Sequence, residues 1–170
     1  MNRFLGSCCV MRAAMCSVSM LAMSISSDAL CNPVGGVVVG GAAHISESGL
    51  DLDVHQHSDK AVIDWRSFDI EPGEHTQFHQ PSSAATALNR VTSSNPSQIA
   101  GKLSANGNVI LVNPNGVFFA RGSQVDVNGL LATTADIETR DFMAGAQHFN
   151  KPGNPDAAIV NAGEITAKEA

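Results

Sequence analysis

The groups best able to do chemistry are six histidines: His44, His55, His57, His75, His79 and His148. In an extended segment, His55-Gln56-His57 puts two imidazoles on one face, beside Asp51 and Asp53. Imidazole and carboxylate together form a donor set for zinc. A solvated polar face accounts for the same residues more simply, so neither a metal nor a cofactor is expected. Catalytic residues are not expected either. The chain has no Gly-x-Ser-x-Gly, no His-Glu-x-x-His and no Gly-Lys-Ser/Thr after its Gly35–Gly41 segment. Arg66 and Arg90 sit among apolar positions, where a guanidinium serves as a structural donor to backbone carbonyls. Asn113-Pro114-Asn115-Gly116 has the chemistry of a tight turn. Pro114 fixes φ at the first corner, Asn115 or Gly116 takes a positive φ, and the Asn113 side chain caps the turn.

The elements that position these groups are short strands. From Val37 onward the apolar period is two, not 3.6. Leu50 to His55 alternates apolar and polar, as does Val125-Asp126-Val127, and His75–Phe78 and Val117–Phe119 read as short strands. Asn108–Val112 is apolar on both faces, as a strand covered on both sides would be. Turn signals separate these runs: Gly35-Gly36, Gly40-Gly41, Pro72-Gly73, Pro152-Gly153, and Asn-Gly pairs at Asn106, Asn115 and Asn128. Both residues of an Asn-Gly pair tolerate positive φ. Strands start about every 8–10 residues, the spacing of an all-β architecture. Ser82–Val91 reads as a helical turn or irregular loop, Asp141–Ala144 as a short helix, and Asn150–Asp156 as an exposed loop. A weak repeat, Asn-(x)-Gly-(x)-apolar, recurs at Asn106, Asn115, Asn128 and Asn161. A β-solenoid needs such a recurring Asn at its corners, although a sandwich fits the pattern as well.

Composition narrows the function. At 44% hydrophobic residues the chain can bury a core. Acidic residues outnumber basic ones 16 to 10, which argues against nucleic-acid partners. Only 15% of residues are charged and Tyr is absent, a chemistry typical of secreted bacterial repeat proteins. Residues 1–29 read as a signal peptide: Arg3 and Arg12, the uncharged and mostly apolar run Ala13–Ile25, then Ser27-Asp28-Ala29 before the cut. Cleavage removes Cys8, Cys9 and Cys16 and leaves Cys31 with no internal disulfide partner.

Several blocks then resemble one family in order. They are Ile63-Asp64-Trp65-Arg66-Ser67-Phe68-Asp69-Ile70, Phe78–Ser83 with Ala87–Val91, Pro96–Leu103, and Ala105–Val109. Leu111–Phe119, with its Asn-Pro-Asn-Gly, and Val160–Ala167 complete the series. They resemble the two-partner secretion domain at the N-terminus of filamentous haemagglutinins, the large exoproteins of Gram-negative bacteria. The resemblance assigns residues 30–170 to that domain, incomplete and truncated at its C-terminal end. It implies a right-handed parallel β-helix with an N-terminal cap and small extra-helical strands.

The implied function is secretion targeting. A dedicated outer-membrane β-barrel transporter would recognise the domain through periplasmic repeats, and the chain would reach the medium or the cell surface. Asn113, Pro114, Asn115 and Gly116 then become a transporter-recognition turn as well as a structural one. Trp65, Phe68, Asn89 and Arg90 become cap or core residues. Strand addition to the transporter, with Leu50–Val54 or Asn108–Val112 still unfolded, is one route to recognition. Two rivals stand beside this reading. One is an adhesin module that binds host glycans or receptors directly, with host-cell contact otherwise left to a downstream region. The other is a carbohydrate-active β-helix enzyme, which scattered Asp64, Asp69 and Asp126 do not favour.

Overall fold

The computed structural model describes residues 32–168. The expected signal peptide 1–29 and Cys31 lie outside the described residues. Among the described residues fourteen strands and one short helix follow one another: β1 (Val37–Gly40), β2 (Ala43–Ser48), β3 (Asp51–Gln56), β4 (Lys60–Trp65), β5 (His75–His79), β6 (Thr86–Val91) and β7 (Ser97–Ile99). Then come β8 (Lys102–Ala105), β9 (Asn108–Val112), β10 (Val117–Phe119), β11 (Gln124–Val127), β12 (Gly129–Thr133), α1 (Thr139–Met143), β13 (Ile159–Asn161) and β14 (Glu164–Ala167).

Strands close in sequence go to different sheets, and strands one coil apart pair in parallel. The sheets run β1-β4-β6-β9-β12, β13-β10-β7 and β14-β11-β8-β5-β3-β2. The chain therefore winds as a β-solenoid with three faces. Register aligns Asp51, His75, Lys102, Gln124 and Glu164 down one face, and Lys60, Thr86, Asn108 and Gly129 down another.

Alternation along each strand explains the core. Leu52, Thr76, Leu103 and Val125 stack in one inward row, and Ala61, Ala87 and Val109 in another. These residues are buried. Each coil hides its apolar face only by stacking on the next, so successive coils supply one another's core. Among the described residues, the first coil has no such neighbour on one side. There β1 runs antiparallel to β4 and β2 antiparallel to β3, making a cap. A Cβ on Gly36 would lie 2.5 Å from Trp65 Cζ3 and 2.7 Å from Ile45 Cδ1, so the cap seats on Trp65 only because that side chain is missing.

A second, smaller core lies outside the solenoid. Ile137 and Phe142 from the segment after β12 pack on Val62, Leu88 and Val112, the outward residues of the five-stranded sheet. That coverage gives Asn108–Val112 its two apolar faces: Val109 and Leu111 point inward, Ile110 and Val112 meet the insert. The short helix expected at Asp141–Ala144 is α1, and Phe142 is its buried residue.

Two expectations are corrected. Ser82–Val91 is not a helical turn throughout, because Thr86–Val91 forms β6 in mid-sheet. Its polar residues misled: Asn89 fits the interior through hydrogen bonds and Arg90 fits the covered outer face through ion pairs. The Asn-Gly pairs are not uniformly positive-φ turns. Gly116 has φ 109°, whereas neither Gly107 nor Gly129 has positive φ. At Gly107 the requirement is space, since a Cβ would meet Gln80 Oε1 at 2.6 Å and the Ala85 carbonyl at 2.7 Å.

Candidate recognition surface

Asn113-Pro114-Asn115-Gly116 forms the corner between β9 and β10. The Gly116 N–H donates to the Asn113 carbonyl at 3.0 Å, closing the turn. Asn113 Oδ1 accepts the Asn115 N–H at 2.9 Å, the side-chain cap of an Asx turn. The corner is also wedged between its neighbours. Asn113 Nδ2 donates to the Asn95 carbonyl and to Ser97 Oγ, each at 3.0 Å, and Asn115 Nδ2 donates to the Ser93 carbonyl at 3.1 Å. On the far side, the Pro114 carbonyl accepts the Asn154 N–H at 2.8 Å, and a Cβ on Gly116 would sit 2.7 Å from the Ala158 carbonyl. Asn113 and Gly116 are buried, while Pro114 and Asn115 are half-buried.

Beyond this corner the chain enters the three-stranded sheet, whose outward row is Gln98, Phe118 and Val160. Phe118 is 38% exposed and Val160 45%. Their neighbours Val117 and Phe119 point inward and are buried. An exposed phenyl and an exposed isopropyl thus stand side by side as a small apolar patch beside the fixed corner. Nothing in the local sequence marked it, because Val117-Phe118-Phe119 reads simply as a buried strand. Only the parallel register shows which aromatic faces out.

Trp65, Phe68, Asn89 and Arg90 serve the frame, whereas Arg66, expected to donate to backbone carbonyls, is exposed. Trp65 and Phe68 are fully buried and meet edge to face, with ring centroids 5.7 Å apart. Trp65 Nε1 donates at 3.0 Å to Oδ1 of the fully buried Asn89, whose own amide donates to the Ala87 and Ile110 carbonyls. One interior amide thus ties β4, β6 and β9 and satisfies the indole. Arg90 reaches outward to Asp64 at 2.8 Å, to Asp136 at 2.9 Å and to the Ile137 carbonyl at 2.8 Å. Burial pulls the Arg90 guanidinium down, but Asp136 and Asp64 outweigh it and its pKa is raised. This clamp pins the insert over the sheet, with Lys60 Nζ donating to the Phe142 carbonyl nearby.

Asp64, Asp69 and Asp126 do not converge. Asp64 is held by Arg90, Asp126 lies outward on β11, and Asp69 Oδ1 accepts the Gln98 N–H at 2.7 Å. Burial raises the Asp69 carboxyl above its ordinary pKa of 3.8, more than that hydrogen bond lowers it. His75 Nε2 lies 2.6 Å from Ser104 Oγ. Burial lowers the His75 pKa below 6.5, with Lys102 adding to the effect and Asp51 and Asp53 opposing it.

The histidines regroup relative to the expected pair. The His55 ring stacks on His79, not on His57, with centroids 4.4 Å apart and planes 9° apart. These two histidines come from consecutive coils in direct register, which linear spacing does not reveal. The segments considered for strand addition, Leu50–Val54 and Asn108–Val112, lie mainly in β3 and β9, and each of those strands is paired on both sides. In the folded solenoid their backbones are already used.

Residues 30–170 match the family model of the TPS secretion domain. Two curated relatives are heme/hemopexin-binding proteins of Haemophilus influenzae. One is 47% identical over 106 residues, 62% of this chain and 12% of its own length, and the other 46% over 114 residues, 66% and 12%. The chain thus spans about an eighth of those relatives. The crystal structure of the HMW1 secretion domain from Haemophilus influenzae aligns over 80% of this chain and 37% of that one, with TM-score 0.74 and 35% identity. Stacked parallel coils, a capped first coil and a family match spanning the whole described region agree: the chain belongs to the TPS secretion domain family.

Proposed function

We propose that this domain commits a longer exoprotein to export, through recognition in the periplasm by the periplasmic repeats of an outer-membrane β-barrel transporter. The leader 1–29 would deliver it there, and the product would be released or held at the cell surface. The domain acts by being bound, without catalysis. The family match over residues 30–170 carries this reading, since a secretion domain is defined by export. TPS domains in general engage a partner transporter.

The contact surface we assign is the three-stranded face around Phe118 and Val160. Its support is an exposed apolar row beside a corner held rigid by Asn113. Asn113, Pro114, Asn115 and Gly116 serve recognition by fixing that face. The heme and hemopexin binding named for the relatives is not carried over, because the match covers 12% of each.

The test is secretion from a Gram-negative host with and without a candidate barrel, measured in medium and periplasm. Export into the medium only with the barrel is the expected result. Phe118→Asp should then reduce export several-fold, more than any shift of its urea midpoint accounts for. Barrel-independent release refutes the targeting reading. Full export of Phe118→Asp refutes the assignment of the face.

A further inference from the structure

The outer face of the six-stranded sheet carries a group of side chains that lies outside the recognition face assigned above. His55 on β3 and His79 on β5 are directly in register, and His44 on β2 is the antiparallel partner of His55. Residues directly opposed in neighbouring strands point to the same face. Three imidazoles therefore form one row across β2, β3 and β5. Asp53, two residues before His55 on the same face, brings Oδ1 to 2.7 Å from His79 Nε2. One donor atom each from Asp53, His55 and His79 lies within 4.8 Å of the others. It is the one such three-residue group among the described residues.

We infer that Asp53, His55 and His79 form a binding site for a divalent transition-metal ion, zinc by its chemistry, on the outer face of the first two coils. Two imidazole nitrogens and a carboxylate oxygen are a donor set that suits zinc and copper and not calcium or magnesium. Neutral imidazole offers one lone pair in its ring plane, and the two rings stand face to face at 4.4 Å, so one ring must turn before both nitrogens face a common ion. Zinc bonds of about 2.0–2.1 Å to nitrogen and oxygen at a tetrahedral angle place donors roughly 3.3 Å apart. The 2.7 Å Asp53–His79 pair must open by roughly half an ångström, and the His55 donor must close in. His55 is exposed and Asp53 and His79 are half-buried, which leaves room for these χ rotations. His44 or water completes the fourth position. No covalent step is involved: the ion displaces whatever proton the His79–Asp53 pair shares.

The ion would tie coil to coil. Asp53 and His55 belong to the first coil and His79 to the second, so binding to the folded chain alone adds stability where the stack begins. The surrounding groups set the pH dependence: Asp51 and His75 flank the site on the same face, with Lys102 opposite His75. Imidazoles must be unprotonated to bind, so acid should release the ion.

The test uses the full chain without a polyhistidine tag, titrated with zinc by calorimetry and with cobalt by visible absorbance. One saturable equivalent is expected, with a cobalt spectrum of low coordination number, a thermal midpoint raised by zinc, and loss of binding near pH 5. His55→Ala and His79→Ala should each weaken binding by at least about tenfold, as removing a supporting partner alone does. His57→Ala and His148→Ala, outside the group, should stay within about twofold. Should either alanine variant misfold, Asp53→Asn, which keeps the side-chain volume, decides by the same tenfold criterion. Absence of saturable binding at millimolar zinc overturns the site. So does equal weakening by the control variants.

Discussion

Asn113→Ala tests whether the Asn-Pro-Asn-Gly corner acts through the fold or through direct contact. The Asn113 side chain is fully buried and makes three hydrogen bonds: to the Asn95 carbonyl, to Ser97 Oγ and from the Asn115 N–H. Ser97 is itself buried, so its hydroxyl loses a partner that water cannot readily replace. A net hydrogen bond contributes about 1 kcal/mol, and a buried group left unsatisfied costs about 1–3 kcal/mol. Together these give a loss of about 2–4 kcal/mol for Asn113→Ala. Asn115→Ala removes one side-chain bond, to the Ser93 carbonyl, at a half-buried position, and should cost about 0.5–1.5 kcal/mol. Urea unfolding of both variants gives the comparison through a shifted midpoint at constant slope. Export should fall in the same order as stability, with the retained Asn113 variant degraded. A cost below about 1 kcal/mol for Asn113→Ala, or a larger cost for Asn115→Ala, refutes the internal-corner reasoning. An exported level that collapses while stability is unchanged would return the motif to direct recognition.

Arg90→Ala should cost about 2–4 kcal/mol, below the 3–5 kcal/mol of a fully buried pair because Asp64 and Asp136 keep some solvent. It should also speed proteolysis between residues 144 and 158, since the insert loses its clamp; an unchanged cleavage rate would count against that. Acidification should destabilise the domain through His75. Its folded pKa lies below 6.5, so the unfolded chain takes up the proton first and stability falls as pH drops through 6.5 toward the folded value. Asp69 works oppositely: its raised pKa gives stability that is present below 3.8 and fades as pH rises through the folded value. His75→Gln should flatten the dependence on the side below 6.5, and Asp69→Asn the dependence above 3.8, in urea unfolding measured across pH.

Much of the architecture was legible because a solenoid writes its period locally. Leu50–His55 and Val125–Val127 alternate, and from Asp51 onward both became strands with one face buried, Leu50 staying exposed in the turn before β3. Asn108–Val112 revealed even its second covered face, though not what covers it. Thr86–Val91 was not legible, since Asn89 and Arg90 look like loop residues until Trp65 and Asp136 are in place to meet them. Those partners sit 24 and 46 residues away. The same gap hid the histidine row and the Phe118 face. Side chains on successive coils become neighbours through register, and register depends on the length of every loop between them. Asn-Gly misled for a different reason: at Gly107 it answers to a close carbonyl, not to a backbone angle.

The cap sets a direction on the stack, and that direction can be measured. Antiparallel β1 and β2 close the first coil over Trp65, whereas β12, β13 and β14 are the last strands of their sheets among the described residues. Coils bounded on both sides, those of β5–β7 and β8–β10, have neighbours supplying their core above and below. In a nearest-neighbour stack, opening an end coil breaks one interface and opening an inner coil breaks two. Amide exchange should therefore be slowest in β6 and β9, faster in β3 and β4, and fastest in β13 and β14. Gly36→Val should shift this profile at one end only. Its side chain would enter space within 2.5 Å of Trp65 and 2.7 Å of Ile45, an overpacking worth about 1–3 kcal/mol. Exchange should then accelerate in β1, β2 and β4 while β9 and β10 keep their protection, because the interfaces beyond the second coil are untouched. Uniform acceleration across all three sheets would mean that the domain opens as one unit, and that the cap stabilises the whole solenoid rather than its first coil.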